Sequence, residues 1–361
     1  MANVTLAAEA YVGRLPPWDG RTLYLARIDP HLTAGAAVML DLNAELLKSL
    51  ETVQATFLRR LLGLSSRSPL GPLFTELGLQ PIRYRRAILA LRYLAKVVVS
   101  AGRAPRLVTA ALEESFRMAA MGAASWISDL GHVLTRLEIA VDIESLRNAE
   151  YVQECITRVE EAAVSGVWGL LEESTRLEVL AGRPGNRSLS FRSYLRVPHA
   201  DHRRALTRLL ASEHPLAIHS LREGGTPRDA RRCRFCRSAG VVEDEVHVLL
   251  VCTASDELAT LRESLKTAMA EAVPGLTMPR TGVTFGTLHW LLSDRRLLPL
   301  WARYVYDVFA LVDSDAASGS YVLAVGSPER VTGREEAHSP PRATMLPHAS
   351  EARHAQTPGM W

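Results

Sequence analysis

Three of the four cysteines of this 361-residue chain fall in one short segment together with a histidine. Cys233, Cys236, His247 and Cys252 follow the spacing C-x2-C-x10-H-x4-C. Two thiolates at the first spacing can turn onto one metal ion, and the later pair completes a four-ligand shell. Closed tetrahedral sets of this kind are typical of structural zinc, because no coordination position is left for water. The segment therefore predicts a Zn²⁺ site that holds a loop in shape and performs no catalysis.

The last two ligands of this spacing cannot share one face of a regular helix. Five residues along an ideal α-helix turn through roughly 140°, so His247 and Cys252 would face different ways. We therefore expect Cys252 to lie past a helix end or on a distorted last turn. The alternative is that the cysteines are merely buried and that His247, within the largely apolar run 246–251, is a core histidine.

An arginine-rich stretch precedes and enters the cysteine cluster. Nine arginines lie between His199 and Gly240, and four carboxylates among them leave a formal charge of +5. Arginines near a zinc loop can clasp phosphates, and an aromatic ring on the turn can stack on a base. We call the turn from Cys233 to Cys236 the knuckle. The residues predicted to contact nucleic acid lie in or beside it: Arg231, Arg232, Arg234, Phe235 and Arg237.

Two features favour a different interpretation of these arginines. Three carboxylates, Glu243 to Glu245, follow at once and would repel a phosphate backbone lying across the whole loop. The arginine bias also extends through the chain, whose 42 basic residues include only three lysines, and a genome rich in G and C produces the same bias. Arginines that face one way would favour nucleic acid, whereas arginines spread around the surface or paired with these carboxylates would favour a solvated face.

The sequence offers little for catalysis. Cys155 is the only cysteine outside the cluster, and it lies in a helical pattern with no motif around it, which favours a buried helical cysteine over a nucleophile. Neither common glycine-rich phosphate loop is present. No Asp-Asp pair occurs to supply the paired carboxylates of a two-metal polymerase or nuclease site. We therefore expect a protein that is not an enzyme.

Composition is that of a soluble globular protein, with 47% apolar and 22% charged residues and a formal charge of +3. The N-terminus lacks the basic start and apolar core of a secretory signal. No uncharged apolar run approaches the roughly 18 residues that cross a bilayer. Because most of the few cysteines fall in metal spacing, a reducing compartment is expected. The prediction is an intracellular protein of the cytoplasm or nucleus, without a membrane segment.

Apolar periodicity predicts a mostly α-helical fold: a multi-helix bundle, a small CCHC zinc-stapled module and a disordered C-terminal tail. Gly63 is placed to end the first strong helix. The glycines and proline of residues 182–185 suggest an internal boundary, and a short strand is possible at 321–325. Helices are predicted over 42–62, 82–100, 107–121, 125–137, 143–176, 199–212, 256–272 and 289–312. The predicted regions are an irregular segment (1–41), a helical connector (42–182), the zinc module (186–275), an aromatic helix (276–312) and the tail (313–361).

Three segments near the start of the chain, LYLARIDPHLT (23–33), LETVQATFLRRLLGL (50–64) and LFTELGL (73–79), are followed much later by the cysteine cluster. Together they resemble the C-terminal region of fungal non-LTR retrotransposon reverse transcriptases. The most specific part runs from Gln54 through Phe57, Arg59 and Arg60 to Gly63. By this resemblance, the first helices correspond to the thumb-like segment that holds template and primer, and the cluster to the family's zinc-binding domain.

What the resemblance implies is a non-catalytic fragment that binds RNA or DNA. The family's polymerase carries a Tyr/Phe-x-Asp-Asp metal site, which this sequence lacks, so no DNA synthesis is expected. A thumb-like segment without its polymerase would leave apolar surface exposed, which favours self-association. The alternative is a helical protein-interaction or orphan module whose zinc is purely structural. In that case exposed aromatic residues of the last helix would meet a partner.

Overall fold

A computed structural model describes residues 14–100, 105–183, 187–276 and 282–317, and the predicted mostly α-helical fold is confirmed. Among these residues no strand forms, and two isolated bridges pair Leu77 with Phe191 and Arg232 with Val242. The α-helices are α1 (Pro17–Leu23), α2 (Asp29–Leu32), α3 (Ala44–Leu62), α4 (Gly71–Leu77), α5 (Ile82–Val99), α6 (Arg106–Ala120), α7 (Trp126–Arg136), α8 (Ala149–Glu172), α9 (Glu178–Ala181), α10 (Ala200–Leu210), α11 (Ala217–Ser220), α12 (Asp256–Ala272), α13 (Phe285–Ser293) and α14 (Leu298–Ala317). Shorter turns are the 3₁₀ segments Glu144–Arg147, Ser193–Arg196 and Arg228–Ala230 and the π segments Tyr24–Ile28 and His247–Val251.

Helix α3 begins and ends where its sequence specifies. The side chain of Asn43 accepts hydrogen bonds from the first free backbone N–H groups, those of Glu45 and Leu46. Gly63 ends the helix in the left-handed region, with φ of +68°, a conformation that glycine adopts without steric cost. Helices α5, α6, α7, α10 and α12 likewise coincide with predicted helices to within two residues.

Two predicted helices are broken by short polar side chains. The predicted helix over 143–176 becomes a 3₁₀ turn and α8, because Asn148 is extended and caps the backbone N–H groups of Glu150 and Tyr151. The predicted helix over 289–312 becomes α13 and α14, because Asp294 is extended and accepts from the backbone N–H of Arg296. Helix α14 then continues to Ala317, five residues into the predicted tail. The rest of that tail and the possible strand at 321–325 lie outside the described residues.

The buried residues form two hydrophobic clusters. The smaller cluster joins α5, α6, α7 and the first half of α8, and it contains Cys155. The larger cluster joins the other helices except α1 and runs from Tyr24 to Val312. It includes Leu180 and Leu195 on either side of the predicted boundary at 182–185, so the core is continuous there. The π segment Tyr24–Ile28 and helix α2 contribute to it, and the segment 1–41 is therefore not irregular throughout.

Helix α14 places the cysteine cluster against this larger core. It packs on α10 and α12, and its residue Trp301 is completely buried. Within the described part of the chain, no helix is both long and apolar enough to cross a membrane.

Candidate metal centre

The four predicted ligands converge on one point. One ligand atom from each of Cys233, Cys236, His247 and Cys252 lies within 4.8 Å of all the others. The Sγ atoms of Cys233 and Cys252 are 3.8 Å apart, and Cys236 Sγ lies 3.5 Å from His247 Nε2. A tetrahedral ion with sulfur at about 2.3 Å and nitrogen at about 2.0 Å would give separations of about 3.8 Å and about 3.5 Å. The group can therefore hold one metal ion.

A short antiparallel ladder positions the first two ligands. The backbone N–H of Cys233 donates to Val241 O at 3.1 Å, and that of Glu243 donates to Arg231 O at 2.8 Å. The chain reverses in the knuckle, where the N–H of Arg237 donates back to Cys233 O at 2.9 Å. Arg237 has φ of +51°, so the left-handed turn falls on an arginine just after the second cysteine. The ladder and the turn together bring both thiols to one side.

A π turn positions the last two ligands. The N–H of Cys252 donates to His247 O at 2.7 Å, a bond between residues five apart. The widened turn brings Cys252 back over His247, and Cys252 itself is extended just past the helical residues. The expectation that Cys252 lies past a helix end or on a distorted last turn is therefore confirmed. The carbonyls of Val248 and Leu249 accept from the Arg262 guanidinium, and Tyr304 O–H also donates to Leu249 O.

Burial makes the group a closed site. Cys233 and Cys252 are buried, while Cys236 and His247 are half-buried. Burial raises the pKa of Cys233 well above its ordinary value, since a thiolate without a positive partner is costly in the interior. A bound cation supplies that charge and makes the thiolate a ligand. Burial also lowers the pKa of His247, which favours the neutral imidazole that binds a metal.

One of the five residues predicted to contact nucleic acid points into the core. The side chain of Arg234 is 4% exposed, and its guanidinium meets the fully buried carboxylate of Glu243 at 2.8 Å. It also donates to Val312 O at 2.9 Å and to Pro215 O at 3.3 Å. The Arg234 prediction is therefore wrong, because a phosphate outside the protein cannot reach this guanidinium. The residue ties the knuckle to the segment before α11 and to α14.

The other four predicted contacts divide between the interior and the surface. Arg231 is half-buried and donates to the carbonyls of Thr226 and Ile218. Phe235 is half-buried and packs against the larger core, so its ring is only partly presented for stacking. Arg232 and Arg237 are exposed on either side of the knuckle. These two are the predicted contacts that lie at the surface.

The three carboxylates after the knuckle do not form an acidic surface. Glu243 pairs with Arg234, and Glu245 is buried with an oxygen 3.0 Å from His214 Nε2. Asp244 is half-buried and accepts from the backbone N–H of His247 at 2.8 Å. These carboxylates therefore face largely inward, and they repel a phosphate backbone at the surface less than the sequence suggested.

Residues outside the cysteine cluster complete the site. Arg262 and Tyr304 hold the carbonyls of the π turn, and no local signal marked them for this role. Cys155, the residue considered as a nucleophile, is buried in the smaller cluster, where burial raises its pKa. This confirms the interpretation of Cys155 as a buried helical cysteine.

Comparisons of the chain with protein-family models, with curated proteins and with solved structures found no match. The resemblance to retrotransposon reverse transcriptases therefore stays a prediction from the quoted segments.

Proposed function

We propose that this chain is a zinc-stapled, non-enzymatic helical protein that binds the phosphate backbone of RNA or DNA. Its proposed origin is the C-terminal thumb-like and zinc-binding region of a non-LTR retrotransposon reverse transcriptase. The observation that carries the proposal is a closed four-ligand group whose flanking Arg232 and Arg237 lie at the surface. The neighbouring carboxylates turn inward, as described above.

The donor set favours zinc as the ion. Three thiols and one imidazole suit a borderline-soft cation, whereas Mg²⁺ and Ca²⁺ take oxygen ligands. With four protein ligands the ion has no position for water or substrate, so its contribution is structural. Bound zinc would hold the ladder and the π turn together, and binding would add directly to the stability of the folded chain.

Electrostatics support contact with a nucleic-acid backbone. Each phosphate that an arginine neutralises releases counterions, so affinity falls as salt rises. Arg232 and Arg237 are exposed residues on either side of the knuckle, and the planar fork of arginine matches phosphate oxygens. A turn that is held by four ligands loses little conformational freedom on binding, which favours affinity.

Fluorescence anisotropy with single-stranded RNA and DNA oligomers at two salt concentrations tests the proposal. Arg232→Ala/Arg237→Ala should weaken binding and lower the slope of log K against log salt by about 1.4, since each single-strand contact contributes about 0.7. The matched control, Arg92→Ala/Arg117→Ala, removes two exposed arginines of α5 and α6 and should bind as wild type does. Wild-type binding that is absent or insensitive to salt would defeat the proposal, as would an equal loss in the control.

The second candidate is a helical protein-interaction module in which the metal is only structural. The inward-facing Arg234 favours it, because this arginine serves the fold. However, the aromatic residues of the last helix that were expected to meet a partner are mostly buried. Trp301, Tyr304 and Phe309 are in the core, and Tyr306 is the aromatic residue of α14 that is exposed, by 38%. The partner surface predicted for this candidate is therefore not present on α14.

A further inference from the structure

A cleft lined by arginines lies between the end of α3 and α10, away from the cysteine ligands. Its volume is about 540 Å³, within the range of about 300–1,000 Å³ that is usual for small-molecule sites. The end of α3, the loop that follows it and one side of α10 form its walls. Its charged lining residues are Arg14, Arg60, Arg203, Arg204, Arg208 and one carboxylate, Glu213.

Two of these guanidinium groups are fixed on the wall by backbone carbonyls. Arg204 Nε donates to Gly63 O at 3.2 Å, and Arg208 Nε donates to Glu213 O at 2.7 Å. Both side chains are half-buried. The hydrogen bond from Nε fixes the orientation of each guanidinium group. The two Nη atoms of each group do not take part in that bond. Such a group can donate two parallel hydrogen bonds to the oxygens of a phosphate.

The positive charges that line the cleft lie close enough to repel one another. Burial first, and then the charges of Arg14 and Arg208, lower the pKa of Arg204. An anion placed among these groups would relieve the repulsion and replace the lost hydration. The first residue of α10, Ala200, also lines the cleft, and the amino end of a helix favours negative charge.

The acidic groups near the cleft are already engaged. Both the backbone N–H and the hydroxyl of Ser65 donate to the Glu213 carboxylate. Asp201 lies at the surface, 3.7 Å from Arg14. The carboxyl end of α3 also faces the cleft and opposes an anion there, but Gly63 O is covered by Arg204. The lining therefore keeps an excess of positive charge.

We infer that this cleft, lined by Arg14, Arg60, Arg204 and Arg208, binds a phosphate group of a nucleic-acid backbone. The inference deepens the proposed function and rests on it for the identity of the molecule that carries the phosphate. The arginine guanidinium groups would donate paired hydrogen bonds to two oxygens of the phosphate. In this arrangement the strand has two separate anchoring points, the cleft and the knuckle.

The test compares two double variants in the full chain. Arg204→Gln/Arg208→Gln should weaken binding of a single-stranded oligonucleotide by about tenfold and lower the salt slope by about 0.7, because one phosphate contact is lost. Arg232→Gln/Arg237→Gln probes the knuckle separately, and Arg92→Gln/Arg117→Gln is the control for charge. Unfolding temperature is measured for each. If Arg204→Gln/Arg208→Gln is unfolded, Arg14→Gln/Arg60→Gln removes the two exposed arginines of the cleft and should also weaken binding.

The outcomes separate the cleft from the proposed function. Oligonucleotide binding that falls in the knuckle variant and not in the cleft variants would overturn the inference and support the proposed function. Titrations with inorganic phosphate and tripolyphosphate form the second arm. If these anions raise the unfolding temperature of wild type and not of the cleft variants, while the oligonucleotide does not bind, the phosphate site is supported and the nucleic acid is rejected. No response to any of the probes would overturn both.

Discussion

The buried ion pair behind the knuckle gives the sharpest prediction. The Glu243 carboxylate accepts from two backbone N–H groups, those of Arg234 at 2.7 Å and Ala217 at 2.8 Å. It also accepts from the Arg234 guanidinium at 2.8 Å and 3.0 Å. Glu243→Gln keeps the size of the side chain, removes its charge and turns an N–H₂ group toward one of these donors. The guanidinium then remains buried without a counter-charge.

Removing one partner of a buried pair costs about 3–5 kcal/mol, because the other charge stays in the interior. A domain of this kind has an unfolding free energy of about 5–15 kcal/mol, so the loss is large. Urea unfolding followed by far-UV circular dichroism in the presence of Zn²⁺ should show it as a lower midpoint with an unchanged slope. The zinc content of each variant is measured first, so that loss of metal is not mistaken for loss of the pair.

Two further variants identify the cause of the loss. Glu223→Gln removes an exposed carboxylate that lies 4.0 Å from Arg67, and exposed pairs contribute at most about 1 kcal/mol. Arg234→Met/Glu243→Gln removes both charges and keeps an amide oxygen as an acceptor for a backbone N–H group, so it should recover part of the stability that Glu243→Gln loses. A Glu243→Gln protein with bound zinc that unfolds within about 1 kcal/mol of wild type would refute the assigned role, since a buried unpaired charge costs more than that.

Three more predictions concern the metal, pH and association. Cys236→Ser should abolish near-unit zinc binding in a metal assay, whereas Cys155→Ser, in the other cluster, should retain it; equal zinc in both would exclude the site. Burial, then the charges of His214 and Arg176, lower the pKa of His219 from 6.5 to about 4, so stability should be full above pH 6.5 and fall as the pH drops toward 4. At pH 5 the contribution lost is at most about 2 kcal/mol, because solvent screens part of the interaction of this half-buried group. His219→Gln should flatten this part of the pH profile in urea unfolding, and an unchanged profile would contradict the assignment. Leu46 is 67% exposed on α3, and Leu46→Glu should reduce any concentration-dependent association in sedimentation velocity without lowering stability; unchanged association would exclude this surface.

Local sequence signals were sufficient to predict much of the fold and the group of four residues that could hold a metal ion. Helix α12 was predicted at its observed bounds, because its apolar period and its polar N-terminal residues are all local. The cysteine spacing is local too, and the 140° offset between His247 and Cys252 anticipated the π turn. The breaks at Asn148 and Asp294 were missed, since the apolar period continues across both residues and only the side-chain hydrogen bonds interrupt the helix.

The direction in which the arginine side chains point depends on partners elsewhere in the chain. Arg234 turns inward because a carboxylate nine residues later and a carbonyl 78 residues later meet there. A sequence window around the knuckle contains Glu243, but it cannot indicate that this carboxylate is buried. The same limit applies to the cleft, which joins Arg60 of α3 to α10 across more than a hundred residues of chain. The sequence shows how many arginines a segment contains, whereas tertiary packing determines which of them point into the core and which reach the surface.

The hydrogen bonds around the π turn have a consequence for how this region opens. The turn is attached to α12 through Arg262 and to α14 through Tyr304, and the knuckle is attached to α14 through Arg234. None of these elements can move away without breaking the bonds of another. In native-state hydrogen exchange the amides of the knuckle, the π turn and α14 should therefore share one opening free energy, as a single cooperative unit. Chelation of the metal should accelerate exchange in all three together and leave the amides of α6 and α7 unchanged.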